Sequence, residues 1–195
     1  MLRWIIAALF TFIFTAAVAG DFEDGMAAIE RKDYATALAK FRSAAQQGNA
    51  AAQYNLGVMY RNGDGVAQDY KEAVRWYQLA ARQGAAQAQH NLGVMYMNGR
   101  GVAQDYKEAV RWYRLAAKQG FTDAQHNLGV RYFLGQGVLQ DYTRAHMWLN
   151  IAAIAGSKES IEGRDIVATK MTAQQIEQAQ RMARDCMSSN FAKCD

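Results

Sequence analysis

The sequence predicts an all-α solenoid, built of antiparallel helix pairs repeated along the chain and closed by a C-terminal capping helix. Three observations predict it. First, residues 52–84 (AQYNLGVMYRNGDGVAQDYKEAVRWYQLAARQG) recur as residues 88–120 (AQHNLGVMYMNGRGVAQDYKEAVRWYRLAAKQG), with 28 of 33 positions identical at an offset of 36. Residues 124–156 keep that frame in looser spelling (AQHNLGVRYFLGQGVLQDYTRAHMWLNIAAIAG). Self-similarity at a period of 20–50 residues marks units that cannot bury their apolar faces alone and stack on their neighbours. Second, apolar residues within the unit fall at helical spacing: Leu56 and Tyr60 share one face, as do Ala73, Trp76, Tyr77 and Ala80. Third, the 195 residues hold 16 glycines and no proline, which suits helices interrupted by glycine bends.

The elements follow in order. Met1–Ala19 reads as a signal peptide: Arg3 begins it, Trp4–Phe14 is apolar, and Ala17-Val18-Ala19 gives the small-x-small pattern cut before Gly20. Its apolar run, Trp4 to Ala19, is 16 residues, short of the ~20 of a spanning helix. The expected location is therefore periplasmic or secreted, and any contact with a membrane is expected only through an uncleaved signal segment. Residues 20–48 form a first repeat with a shortened loop, since Gly25 lies 9 residues before Tyr34 whereas Gly57 lies 13 before Tyr70. Full repeats follow at 49–84, 85–120 and 121–156, and 157–195 supply capping helices and a tail.

Within a full repeat the first helix is expected over about Ala51–Arg61, ended by Asn62-Gly63-Asp64-Gly65. Asp69 caps the second helix, with Glu72 placed to reach back in a capping box; Asp105 and Glu108 repeat this. In the last copy Asp141 keeps the cap while Arg144 replaces the glutamate. Ser157–Lys170 is expected to form one more helix. Thr172 with Gln175 signals a capping box before a final amphipathic helix over Ala173–Ser188.

The recurring pattern, with Leu56-Gly57-x-x-Tyr60 and Ala73-x-x-x-Tyr77 at its centre, resembles the Sel-1-like repeat, a 36-residue relative of the tetratricopeptide repeat. The first unit is closer to the tetratricopeptide form, and the last full copy departs at Leu134, Leu139 and Leu149. The resemblance covers roughly Phe22–Gly156. It implies a right-handed superhelix of antiparallel helix pairs, whose groove, lined by the first helices, holds a partner protein or peptide. It also implies an exported bacterial scaffold of the cell envelope, binding an envelope protein or peptide, as a monomer or weak oligomer. Gln53, Asn55, Gln89, Asn91, Gln125 and Asn127 recur on the first helices and can hydrogen-bond a peptide backbone there. Satisfying neighbouring backbone within the stack is the equal alternative for the asparagines.

No catalytic, cofactor or metal site is expected. The G-x-G turns (Gly63/Gly65, Gly99/Gly101, Gly135/Gly137) extend to neither G-x-G-x-x-G nor G-K-[ST]. His90 and His126 are separated by an intervening helix and cannot share one zinc; His146 reads as a helix-face residue, and H-E-x-x-H and C-x-x-C are absent. No serine stands in a G-x-S-x-G or S-x-x-K context. The alternative of weak β-lactamase-like or cell-wall hydrolase activity is implied by resemblance to a cysteine-rich subset, with a disulfide in each repeat. This chain has no cysteine in any repeat. Cys186 and Cys194 either bridge, pinning the tail to the last helix, or remain free thiols; an oxidising compartment favours the bridge. The formal charge of +4, without a Lys/Arg run, excludes a nucleic-acid footprint. Trp76 and Trp112 are expected in the core. The changes Tyr54/His90, Arg61/Met97, Asp64/Arg100, Gln78/Arg114 and Arg82/Lys118 mark surface that packing does not dictate.

Overall fold

The computed structural model describes residues 20–194, and the segment read as a signal peptide lies outside them. Among the described residues the chain is all helix and turn. Helix α1 covers residues 20–30, and α2 (Tyr34–Gln46) completes the first pair. The full repeats follow as α3 (Ala50–Asn62) with α4 (Tyr70–Arg82), α5 (Ala86–Asn98) with α6 (Tyr106–Ala117), and α7 (Thr122–Leu134) with α8 (Tyr142–Ile154). Helices α9 (Lys158–Ala168) and α10 (Ala173–Ser188) end the chain. Two compact units result, one ending at Ala85 and one running from Ala86 onward.

In the first unit α3 packs on both α2 and α4. Gly57 makes the α3–α4 contact possible, because a Cβ there would lie 2.5 Å from the Tyr77 ring. Tyr77 is thus buried against bare backbone, while Phe41, Leu56, Met59 and Trp76 fill the core around it. The short first-repeat loop turns tightly through Lys32, at φ +60°, with the Asp33 N–H donating to Ala28 O at 2.9 Å.

The second unit repeats the device. Gly93 faces Tyr113, and in the looser copy Gly129 faces Leu149, which occupies the tyrosine's place and is buried. Leu134 and Leu139, the other two departures, point to solvent. Helix α8 takes α9 and α10 against its remaining faces, burying Met147, Trp148 and Ile151 with Val167, Ala183 and Cys186. Cys186 and Cys194 are disulfide-bonded, closing the tail onto α10.

The longer loops are closed identically in each full repeat. The N–H of Asp69, Asp105 and Asp141 donates to the carbonyl of Tyr60, Tyr96 and Tyr132, at 2.9, 3.0 and 3.0 Å. Gln68, Gln104 and Gln140 span the same loops, donating to Arg61, Met97 and Phe133 carbonyls at 2.8 Å each. The glycines of these loops are turn residues. A Cβ on Gly137, at φ +77°, would come 2.1 Å from the Tyr106 carbonyl oxygen, so the loop rests on the start of α6.

One capping expectation is corrected. Asp69 and Asp105 do cap α4 and α6, each accepting two backbone N–H bonds, but Glu72 and Glu108 do not reach back to complete a box. They pair instead with Arg75 and Arg111, which lie over the Trp76 and Trp112 rings at 4.3 and 4.0 Å. The N–H that each box would use, that of Asp69 or Asp105, is already bonded to the Tyr60 or Tyr96 carbonyl, which leaves the glutamates to their i,i+3 arginines. The reciprocal box does form between Thr172 and Gln175 at the start of α10.

Candidate functional site: the first-helix face of the second unit

The six side chains singled out on the first helices divide by position. Gln53 and Asn55 are two residues apart, and at 100° per residue they point to nearly opposite sides. Gln53 is buried, donating to Ala45 O at 3.1 Å and accepting from the Gln83 amide at 2.8 Å. Gln89 is buried in the same way and accepts from Gln119 at 2.7 Å; Gln125 is buried and donates to Ala117 O at 3.2 Å. Gln53 and Gln125 therefore tie α3 and α7 to the ends of α2 and α6, and Gln53 and Gln89 also meet the glutamines that follow α4 and α6, which leaves neither Gln53 nor Gln89 available to a ligand.

The asparagines stay half-buried on the other side. Asn55 donates to Ala51 O of its own helix at 2.9 Å, the backbone-satisfying role. Asn127 instead meets His90 Nε2 at 3.0 Å, linking α7 to α5. His126, one residue before it, places Nδ1 2.9 Å from the Ser160 hydroxyl of α9. Around these contacts opens a polar cleft of about 380 Å³, lined by His90, Asp123, His126, Asn127, Ser157 and Glu159.

The polar bonds of the cleft run in one sense. Ser160 Oγ donates to Ser157 Oγ at 2.8 Å, and Ser157 Oγ points to the Glu159 carboxylate at 3.4 Å. With its one proton so used, the Ser160 hydroxyl accepts from His126 Nδ1–H, which leaves Nε2 as an acceptor. Burial holds the His126 pKa below its ordinary value, partly offset by Glu159 and Asp123, so the ring is neutral at pH 7. The cleft thus presents imidazole and amide groups, with two carboxylates at its rim.

The sequence reading did not single out Ser157 and Ser160, though a signal was present. Asn49, Ala85, Phe121 and Ser157 stand at steps of 36, as do Ala52, Ala88, Ala124 and Ser160. Asn49 and Ser157 cap α3 and α9 with their side chains, and Ser160 is as fully buried as the three alanines. Helix α9 begins in the repeat frame and replaces a core alanine with a hydroxyl.

The other polar positions are structural. His146 is buried, not on an open helix face, and burial pushes its pKa down, with Arg164 adding to the effect. Trp76 and Trp112 are core residues. Of the variable positions, His90, Met97 and Arg114 make specific contacts within the second unit. Arg131 lies 3.3 Å from Met97 Sδ, and Arg114 donates to the Tyr132 hydroxyl at 3.0 Å. Among the described residues no group of three or more His, Cys, Asp or Glu is placed to hold a metal ion.

Antiparallel helix pairs recurring at a fixed period define a helical-repeat protein. The chain belongs to the Sel1 repeat family, which matches it at residues 22–49, 50–84, 86–121 and 122–157. Sel1-repeat proteins generally mediate protein–protein interaction and are generally non-enzymatic. A Sel1 repeat protein from Oxalobacter formigenes is 40% identical over 66% of this chain and 96% of its own, at a TM-score of 0.61. A protective antigen present in uropathogenic Escherichia coli strains, displaying an SLR fold, is 31% identical over 80% of this chain, also at 0.61. The match spans only 42% of that antigen's length. Cysteine rich protein B of Helicobacter pylori shares the fold at 20% identity and a TM-score of 0.52, over 63% of this chain and 92% of its own. No curated protein matches the sequence. Among the described residues, no helix is long and apolar enough to cross a membrane.

Proposed function

We propose that the protein is a non-catalytic scaffold of the bacterial cell envelope that binds a partner protein or peptide on its first helices, in the cleft between α5, α7 and α9. The observation that carries this reading is the cleft itself. Its imidazoles, amide and hydroxyl supply donors and acceptors suited to an extended backbone, and its volume accommodates a few residues of a peptide. Export fits the signal-like Met1–Ala19 segment and the Cys186–Cys194 bridge, which an oxidising compartment maintains. Hydrolase or β-lactamase-like activity finds little support. The His126–Ser160–Ser157 chain has a hydroxyl in its middle that is fully buried and an outer hydroxyl already engaged as the cap of α9.

The reading is tested by a crosslinked pull-down from an envelope extract, comparing the protein with a variant carrying Asn55→Ala, Asn91→Ala and Asn127→Ala. Discrete partners captured by the protein and lost from the folded variant are expected. If the partners survive all three substitutions, binding lies elsewhere.

A further inference from the structure

The buried glutamines of the first helices are not equally satisfied. Gln53 and Gln89 each accept an amide N–H from the glutamine 30 residues on, Gln83 and Gln119. Gln125 stands in the same frame, but at that distance from it the chain has Ala155. Its Oε1 has no hydrogen-bond partner among the described residues, and the residue is only 1% exposed. Buried acceptors left in that state are rare in folded proteins. The oxygen points where its siblings point. Gln125 Nε2 donates to Ala117 O, eight residues back, at 3.2 Å, as Gln53 Nε2 donates to Ala45 O at 3.1 Å. With the amide nitrogen fixed alike, Oε1 faces the place beside residue 155. The backbone there is also alike, at φ −75° and ψ 2° for Ala155 against −86° and 4° for Gln83.

Ala155 is on the wall of a hollow of about 430 Å³ at the end of α8 and the starts of α7 and α9, with Thr122, Asp123, Ser157, Lys158 and Glu159. This hollow adjoins the cleft between α5, α7 and α9 and shares Asp123, Ser157 and Glu159 with it. Asp123 and Glu159 stand at the frame position of Ala51 and Gln87, so the acidic character belongs to the last two turns of the frame. Neither carboxylate forms an ion pair among the described residues. With Lys158 on the same wall, one net negative charge is left. The first turn of a helix itself favours a carboxylate, so these two alone call for no ligand. The Gln125 oxygen does, because a hydrogen-bond donor beside residue 155 is what the other copies have and this one lacks.

We propose that this hollow takes an arginine side chain of the partner peptide. The proposal rests on the reading that the partner lies on the α5–α7–α9 face, and adds the residue that the partner inserts there. The sibling donors, Gln83 and Gln119, present planar amide NH2 groups. A guanidinium brings the same planar NH2 to Gln125 Oε1, and its charge and remaining N–H groups meet Asp123 and Glu159. Its entry beside Ala155 displaces no side-chain bond of that oxygen. A lysine ammonium carries the charge without the planar fork, and citrulline carries planar N–H groups without the charge.

The test is a titration of the ¹⁵N-labelled protein with acetyl-Gly-Arg-Gly-amide, beside the same peptide carrying citrulline or lysine in place of arginine. Saturable shifts centred on residues 122–125 and 155–159 are expected, with affinity about tenfold lower for citrulline and several-fold lower for lysine. Ala155→Gln restores the residue of the sibling repeats and supplies the donor from within. It is expected to raise the thermal midpoint and to cut arginine binding about tenfold. Asp123→Gln, the residue found at Gln87, is expected to weaken arginine binding several-fold with the fold kept. Equal binding of citrulline or lysine, no rise in midpoint or no loss of binding in Ala155→Gln, or no saturable shift at millimolar arginine peptide would each overturn the proposal. Partners captured in the pull-down would persist in those cases, so the wider reading fails separately.

Discussion

Single residues decide how closely these helices approach. Gly93 gives Tyr113 a bare helix to lie on, and a Cβ there would stand 2.4 Å from the ring. Gly93→Ala must displace a buried aromatic, and we expect a loss of about 1–3 kcal/mol in urea unfolding with binding surfaces unchanged. A conservative outcome near zero would mean that the ring can slide. His146 makes a different prediction. An unfolded histidine titrates near 6.5, whereas burial, with Arg164 adding and Asp165 opposing, holds the folded value lower. Between those values the unfolded chain binds more protons, so stability is fully present above about pH 6.5 and declines as pH falls toward the folded value. His126 contributes in the same sense. His146→Val, the residue found at Val74 and Val110, is expected to shrink the fall in thermal midpoint between pH 7.5 and 5.5. An unchanged pH profile would refute that account.

At the scale of elements, much was legible in the sequence because the repeat states each helix more than once. Asp69, Asp105 and Asp141 announced three helix starts, and the recurring Gly57, Gly93 and Gly129 prove to be three close contacts. What could not be read was competition among side chains. Glu72 had two partners within local reach, and the bond from the Asp69 N–H to the Tyr60 carbonyl, which local spacing does not reveal, leaves it to Arg75. Gln53 and Asn55 likewise looked equivalent as polar residues on one helix, until their opposite directions separated an internal tie from a surface group. The His126–Ser160 contact was obscured for another reason: α9 carries the repeat frame only at its start, so no recurring partner advertised it. The disulfide closes an 8-residue separation at the end of α10, which packs on α8. Replacing Cys186 and Cys194 by serine is expected to cost about 2 kcal/mol and to raise amide exchange in α10 before the rest of the unit. Uniform loosening of the whole unit would contradict that assignment.

For the whole molecule, repetition supplies a platform and departure from repetition supplies specificity. Of the residues that distinguish the second unit, His90, His126 and Ser157 line the α5–α7–α9 cleft, Leu139 and Arg144 line a hollow beside the loop entering α8, and the buried Ser160 hydroxyl meets His126. A scaffold needs such a division, since packing positions cannot vary without cost while exposed ones can record a partner's chemistry. The central claim is that a partner lies on the α5–α7–α9 face. It is tested most directly by placing a photo-crosslinking amino acid at Asp123 or Glu159 on the cleft rim, and at exposed Lys107 or Glu177 as controls, then irradiating in cells. The account predicts a discrete protein adduct from Asp123 and Glu159 and none from Lys107 or Glu177. Adducts confined to the control positions would contradict it.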